Sequence, residues 1–297
     1  MIKGKIGIVI VNYNGKNYQN EALRSITESS YQNFEIVVVD SGSNDDSIVS
    51  AKEEFPEVHY LIQNENVGVA KGNNIGIEYS INQLDAEYVL LINNDIVIEK
   101  NTIEILVNNA DNATVTVPKI YYYDPSNVLW FGGGKLSWRK AEGIHIGIDK
   151  KDCELYNKME YIDYSPTCCM LLHRDIIQHV GKIDELMFMY FDDTDLCVRL
   201  IENGYRIAYV PSALLWHKVS SSSGGGYSKV FVYYNYRNKL YFMDKHKEKI
   251  LFPAKLYTVL KMVVKFLISP IYKKNDKYLL KAWKDYKNKK MGRCDEL

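Results

Sequence analysis

Phe34-Glu35-Ile36-Val37-Val38-Val39-Asp40 decides the fold. Ile36 to Val39 are consecutive β-branched residues with no polar alternate between them. That is the pattern of a strand covered on both faces, here ending in an acid. Residues 6–11 repeat it and stop at Asn12-Tyr13-Asn14-Gly15. Further apolar runs occupy 58–63 and 88–92, the last ending at Asn93-Asn94-Asp95. Helical stretches fall between them at 19–29, 48–54 and 73–84, and Ser41-Gly42-Ser43-Asn44-Asp45-Asp46-Ser47 reads as a loop and helix cap. Alternating strand and helix reads as an α/β domain, a mostly parallel sheet flanked by helices. Its strands end in polar residues, namely Asn12, Asp40, Asn93, Asn94 and Asp95. Any one of these reads as a turn or cap residue. Together they read as a ligand site, because open α/β sheets bind at the carboxyl ends of their strands.

A second signal is Asp192-Asp193-Thr194-Asp195, directly behind the apolar run Leu186-Met187-Phe188-Met189-Tyr190-Phe191. Carboxylates beside apolar residues are costly to bury unless paired, metal-bound or used. Burial beside other carboxylates raises proton affinity, which suits a general base near neutral pH. The plainer reading is an acidic first turn of the helix over 196–201.

The chain has 297 residues, 46% of them hydrophobic, which suits one large domain or two small ones. Its 37 basic and 37 acidic residues balance overall. Residues 245–293 carry 15 Lys/Arg and 3 Asp/Glu, a local excess of 15 − 3 = 12 positive charges. Such a basic region suits an anionic partner or a solvated helical face. Within it, 256–268 is amphipathic, with Leu256, Val259, Leu260, Val263 and Leu267 on one face and Lys261 and Lys265 on another. That stretch reads either as a helix packed on the domain or as an interfacial membrane helix. Residues 220–226 are Ser/Gly-rich, which reads as flexible. The five cysteines are odd in number and form no CxxC pair, against a disulfide framework or a zinc ribbon. With no signal-peptide pattern and no apolar run of membrane-spanning length, the expectation is a cytoplasmic protein.

The glycine-rich Gly68-Val69-Ala70-Lys71-Gly72-Asn73-Asn74-Ile75-Gly76 matches neither a dinucleotide fingerprint nor a P-loop. HExxH and G-x-S-x-G are absent. Asp95 and His217 could share a divalent ion, Mn²⁺ or Mg²⁺, with phosphate oxygens. A carboxylate base, strand-end polar residues and a metal at a diphosphate fit transfer from a nucleoside-diphosphate donor.

At this point the sequence resembles a family. Val9-Ile10-Val11-Asn12-Tyr13-Asn14-Gly15 is similar to the opening strand of the family-2 inverting glycosyltransferases of GT-A fold, in their rhamnosyltransferase-like bacterial branch. Val38-Val39-Asp40-Ser41-Gly42-Ser43-Asn44-Asp45-Asp46-Ser47 matches V-D-N-x-S-x-D-x-S, and Asn66 to Gly76 matches N-x-G-x-A-x-G-x-N-x-G. Asn93-Asn94-Asp95 stands at D-x-D, and Gly181-Lys182-Ile183-Asp184-Glu185 resembles G-G-F-D-E. Asp192-Asp193-Thr194-Asp195-Leu196 matches E-D-x-D-L, followed by Trp216-His217 and Arg237-Asn238. The likeness covers about 6–246 and lies in the order of the motifs, each weak alone.

The resemblance implies Asp193 as catalytic base and Asp95 and His217 as ligands of Mn²⁺ or Mg²⁺. It implies donor contacts from Val11, Asn12, Asp40, Asn73, Asn74, Asn93 and Asn94, with Asp40 reading the nucleobase. Asp192 and Trp216 would border the acceptor. The organisation it implies is a GT-A domain over 1–240, with a nucleotide-sugar half at 1–100 and an acceptor half at 101–240. A helical basic region follows over 241–297. The donor would be a UDP- or dTDP-sugar carrying rhamnose, galactose or glucose. The acceptor would be a cell-surface polysaccharide or lipid-linked glycan, with an anionic membrane surface as a further partner, no nucleic acid, and a place on the inner face of the plasma membrane. Three positions depart from the pattern. Asn93 removes the first acid of D-x-D, Asp192 shortens the usual Glu, and Thr167 stands where many members have Gly. Other readings are a nucleotidyltransferase, which would release pyrophosphate, and a glycan-binding or scaffold subunit with a decayed site.

Overall fold

The computed structural model describes residues 4–219, 228–250, 252–272, 275 and 277–297. The Ser/Gly-rich segment 220–226 lies outside the described residues. The chain begins β1 (Ile6–Asn12), α1 (Gln19–Thr27), β2 (Phe34–Asp40), α2 (Ser47–Glu54), β3 (His59–Ile62), α3 (Gly68–Asn82) and β4 (Tyr88–Asn93). It continues β5 (Ile96–Ile98), α4 (Thr102–Asn108), β6 (Thr114–Tyr122), β7 (Val128–Phe131), β8 (Gly134–Ser137), β9 (Glu142–His145), β10 (Lys150–Lys151) and β11 (Glu160–Ile162). The remainder is β12 (Cys169–His173), α5 (Arg174–Val180), α6 (Asp192–Glu202), β13 (Arg206–His217), α7 (Lys229–Lys245), α8 (Phe252–Tyr272) and α9 (Lys277–Lys287).

The central strands run parallel in the order β3-β2-β1-β4. Their registers bring Asn12 beside Asp40 and Val11 beside Asn93, so the polar strand ends gather at one edge. Beyond β4 the sheet turns mixed. β12 inserts antiparallel between β4 and β6, and β13 pairs parallel with β6 and antiparallel with β5. The two halves expected from the sequence therefore share one sheet.

α3 begins at Gly68, five residues ahead of the expected start at 73. Glycines weaken the helical pattern in sequence. Here they let the helix lie directly on β1: a Cβ on Gly72 would stand 2.7 Å from Val11 Cγ1, and one on Gly76 would collide with Val9. The glycine spacing 72–76 thus belongs to helix–strand packing.

α7 is fastened to both neighbours. Asp195 on α6 is fully buried and meets Arg199 Nε at 2.8 Å, Lys245 Nζ at 2.8 Å and His246 Nε2 at 2.9 Å. Burial works to raise its pKa, but His246, Lys245 and Arg199 outweigh it and hold the carboxyl down to about 2. On the other side Tyr233 of α7 donates to Asp285 of α9 at 2.7 Å.

α8 packs through Ala254, Thr258 and Met262, spaced every four residues. Leu256, Leu260, Val263 and Leu267 of the expected apolar face point to solvent instead. Among the described residues no helix is long and apolar enough to cross a membrane.

Candidate active site

A cleft of about 420 Å³ opens beyond the carboxyl end of β4. Asn93, Asp95, Asp192, Asp193 and His217 all line it, and Thr167 does as well. Residues separated by more than a hundred positions in sequence thus meet at one opening.

The acids are delivered by α6, whose first turn holds Asp192, Asp193 and Asp195. The acids open a helix, as the plainer reading expects, and Asp192 and Asp193 also line the cleft. The approach to that turn is a tight loop. Phe188, Tyr190 and Phe191 all have positive φ, at 66°, 64° and 69°. Bulky residues adopt this conformation only where surroundings enforce it. The enforcing groups are Arg237 and Asn238, both fully buried. Asn238 Nδ2 donates to the carbonyls of Met187 at 2.7 Å, Met189 at 2.8 Å and Tyr190 at 2.9 Å. Arg237 lies against the rings of Tyr233 and Tyr234, donates to Met187 O at 3.3 Å and reaches Gly292 O at 2.6 Å. The Arg237-Asn238 pair, for which the sequence offered no role, is the clamp that aims the acids. Asn238→Ala leaves buried carbonyls unpaired and is expected to cost about 2–4 kcal/mol of stability. Transfer by the fraction that stays folded is expected to fall about tenfold, measured at a temperature below its melting point. An unchanged rate there would mean that the loop does not set the position of the acids.

Asp193 is held at both oxygens. Tyr164 Oη donates to Oδ2 at 2.9 Å, while the Thr194 N–H and hydroxyl donate to Oδ1 at 2.6 and 3.0 Å. Burial raises the pKa of Asp193, and the Tyr164 and Thr194 hydrogen bonds offset only part of that rise. Asp192 is pushed up first by burial and then by the charge of Asp193. The result is a desolvated carboxylate pair with raised proton affinity. Tyr164 and His145 belong to this site and were missed from sequence. The His145 ring donates from Nδ1 to Trp130 O at 2.9 Å, and its Nε2 stands 3.5 Å from Tyr164 Oη, whose single hydrogen goes to Asp193. The one trace in sequence is Gly143, where a Cβ would collide with the Tyr164 ring.

At the opposite wall, antiparallel pairing sets His217 against Ile96, next to Asp95. Both side chains are buried, with His217 Nε2 3.0 Å from Asp95 Oδ1. Trp130 packs edge-on against His217 at 4.6 Å and against His145 at 4.5 Å, which spaces the two walls. His217 Nδ1 is buried with no hydrogen-bond partner. Two ligands at roughly 2.1 Å, adjacent on an octahedron, stand roughly 3.0 Å apart. The Asp95–His217 spacing fits that edge, and the unpartnered imidazole nitrogen marks a ring whose polar contacts are incomplete. No third His, Cys, Asp or Glu joins them among the described residues. The pair therefore fits an ion that takes its other ligands from water and a phosphate.

The remaining sequence candidates fall into three groups. Asn12, Asp40 and Asn94 form a buried network: Asn12 donates to Asp40 at 3.0 Å and accepts from Asn94 at 2.8 Å, and Ser43 N–H donates to Asp40 at 3.1 Å. This network fixes the strand ends beside the cleft. Asn74 is a clip within the fold. Its amide donates to Ile183 O and Glu185 Oε1, both at 2.9 Å, and accepts from Ile183 N–H at 2.9 Å, so both of its amide hydrogens are already used. Asn73 is buried beside it on α3, and Val11 lies under Gly72. Trp216 requires a correction, because it does not border the cleft. Neighbouring strand residues point to opposite faces, so with His217 inward Trp216 stacks on Tyr121 at 5.8 Å and donates to Ser126 O at 3.1 Å.

A profile of Glycosyl transferase family 2 matches residues 7–181. The chain belongs to that family and is a glycosyltransferase of GT-A fold. It is 26% identical over 230 residues to the dTDP-rhamnosyl transferase RfbF of Shigella flexneri, covering 75% of this chain and 72% of that one. It is 23% identical over 264 residues to the N-acetylglucosaminyl-diphospho-decaprenol L-rhamnosyltransferase of Mycobacterium tuberculosis, covering 80% and 84%. Among solved structures it resembles the mannosyltransferase PcManGT of Pyrobaculum calidifontis in complex with GDP-Man and Mn²⁺. That likeness has a TM-score of 0.59 at 14% identity and covers 97% of this chain and 88% of that one. Membership of this family sets aside the nucleotidyltransferase reading.

Proposed function

We infer that this glycosyltransferase inverts the anomeric centre in one metal-assisted displacement, with Asp193 as general base. The observation that carries the reading is one cleft with a desolvated carboxylate on one wall and the Asp95–His217 pair on the other. Asp193 would take the proton of an acceptor hydroxyl as that oxygen attacks the anomeric carbon. A bound Mn²⁺ or Mg²⁺ supplies charge neutralisation at the departing diphosphate. Asp95 and His217 would hold it, and Asn93 beside them would face the donor. Tyr164 orients the base, and Thr167 narrows the cleft where a glycine would leave space.

The donor would be a UDP- or dTDP-sugar of rhamnose, galactose or glucose type, and the name of the Shigella flexneri relative supports dTDP-rhamnose among these. The acceptor would be a cell-surface polysaccharide or a lipid-linked glycan, and the name of the Mycobacterium tuberculosis relative supports the lipid-linked one. Such an acceptor puts the enzyme at a membrane, peripheral on the inner face of the plasma membrane. The direct test is a thermal-shift screen of UDP-, dTDP- and GDP-sugars and their bare nucleotides, with and without Mn²⁺. A metal-dependent rise is expected for one nucleotide, since a ligand at 100 times its Kd stabilises the folded chain by about 2.7 kcal/mol. A flat response throughout would instead support a glycan-binding subunit, the reading that Asn93 at the D-x-D position leaves open.

A further inference from the structure

The geometry points to a second functional surface: the outward face of α8 and α9 docks on an anionic lipid bilayer. It stands apart from the transfer chemistry, because docking needs neither donor nor acceptor.

The two faces of α8 are arranged the wrong way round for a helix that serves only the core. The packed side presents Ala254, Thr258 and Met262, two small residues and one large. Leu256, Tyr257, Leu260, Val263, Val264 and Leu267 are all exposed, Leu267 at 67%. At 3.6 residues per turn these six fall on one arc, opposite the packed residues. A globular helix turns its apolar arc inward, so this arc is built for something outside the chain.

α9 extends the same surface. Leu279, Ala282 and Asp285 face inward, while Leu280 and Trp283 are exposed one turn apart. An apolar groove between the helices is lined by Val259, Val263, Phe266, Leu280 and Trp283. Lysines border it rather than acids. Lys261, Lys277, Lys284 and Lys287 are all exposed, and the last three share the arc of Leu280 and Trp283. The exposed lysines that border the groove oppose pairing of this face with a second copy of itself and favour an anionic partner. An apolar arc rimmed by lysine, with tryptophan at its edge, is the chemistry of a helix lying in a lipid headgroup region. The occupant is therefore a bilayer carrying anionic headgroups.

The test is sedimentation of the full chain with phosphatidylcholine vesicles, with and without phosphatidylglycerol, at low and high salt and without donor. Two double variants are compared, Leu260→Glu with Leu267→Glu, and Lys284→Glu with Lys287→Glu. All four positions are exposed, so circular dichroism is expected to match the parent. The expected result is binding to phosphatidylglycerol vesicles that salt weakens and that either variant reduces on the order of tenfold or more. No vesicle binding, equal binding to both lipid mixtures, or full binding by the leucine variant overturns the proposal. A dimer in sedimentation velocity that the leucine variant dissolves, without vesicle binding, assigns the face to a second copy and overturns it as well. A failed donor screen leaves this measurement untouched, so the two readings fail separately.

Discussion

Asp193→Asn is expected to lower transfer by roughly 10³-fold or more while leaving donor binding intact. The substitution keeps the shape of the side chain and removes its ability to accept a proton. Asp95 and His217 stand on the far wall, so the nucleotide-dependent thermal shift should persist in the variant. Transfer above about a tenth of the parent rate would show that the base lies elsewhere. Two further readouts separate a base from a structural acid. Burial raises the pKa of Asp193 despite the hydrogen bonds it accepts from Tyr164 and Thr194. Activity should therefore rise with pH through a limb above the usual carboxylate range. The stability effect has the opposite sign. A folded pKa above the unfolded value means that protonation favours the folded chain. That contribution is complete below the unfolded pKa and is lost as pH rises through the folded one. Asn carries no charge, so Asp193→Asn should melt higher than the parent at about pH 8, and the gap should close toward about pH 4.

How much of this could be read from the chain depends on how regular each element is. β2 spans Phe34–Asp40, the stretch expected from its unbroken apolar run. A strand buried on both faces has no competing pattern. α3 starts ahead of its expected position because glycines hide the helical pattern, Gly68 lying against Phe188 and Gly72 and Gly76 against β1. The middle of the chain, about 101–164, is less readable in sequence for a different reason. β7 to β11 are two to four residues long, too short for any periodicity to register. Trp130 and His145 sit in that stretch and Tyr164 just beyond it, which is why the partners of Asp193 escaped notice while Asp193 itself did not. Trp216 failed in another way. It adjoins His217 in sequence, and strand alternation turns the two side chains to opposite faces. The buried Arg237-Asn238 pair shows the converse. Its motif was visible, but its task as a clamp on three loop carbonyls exists only in three dimensions.

The second large effect is expected at the Asp95–His217 pair, where the proposed ion would sit. Asn93 stands where a first acid would stand, so among the described residues Asp95 brings the only carboxylate that meets His217 on that wall. Asp95→Asn removes that charge but keeps an oxygen in place. His217→Ala would remove the proposed nitrogen ligand but leave the charge. A divalent ion bound mainly by charge should tolerate the second change better than the first. Transfer is expected to fall about 10²–10³-fold in Asp95→Asn, as it should for the parent protein under chelation, because the ion neutralises the leaving diphosphate. In His217→Ala, raising the Mn²⁺ concentration should restore part of the loss; in Asp95→Asn it should not. The metal-dependent part of the nucleotide thermal shift should follow the same order. A parent enzyme indifferent to chelation, or an Asp95→Asn variant that keeps its Mn²⁺ response, would leave the 3.0 Å contact as an ordinary imidazole–carboxylate hydrogen bond. Stabilisation of the leaving group would then have to come from neutral donors lining the cleft, and Asn93 would be the first of them to test.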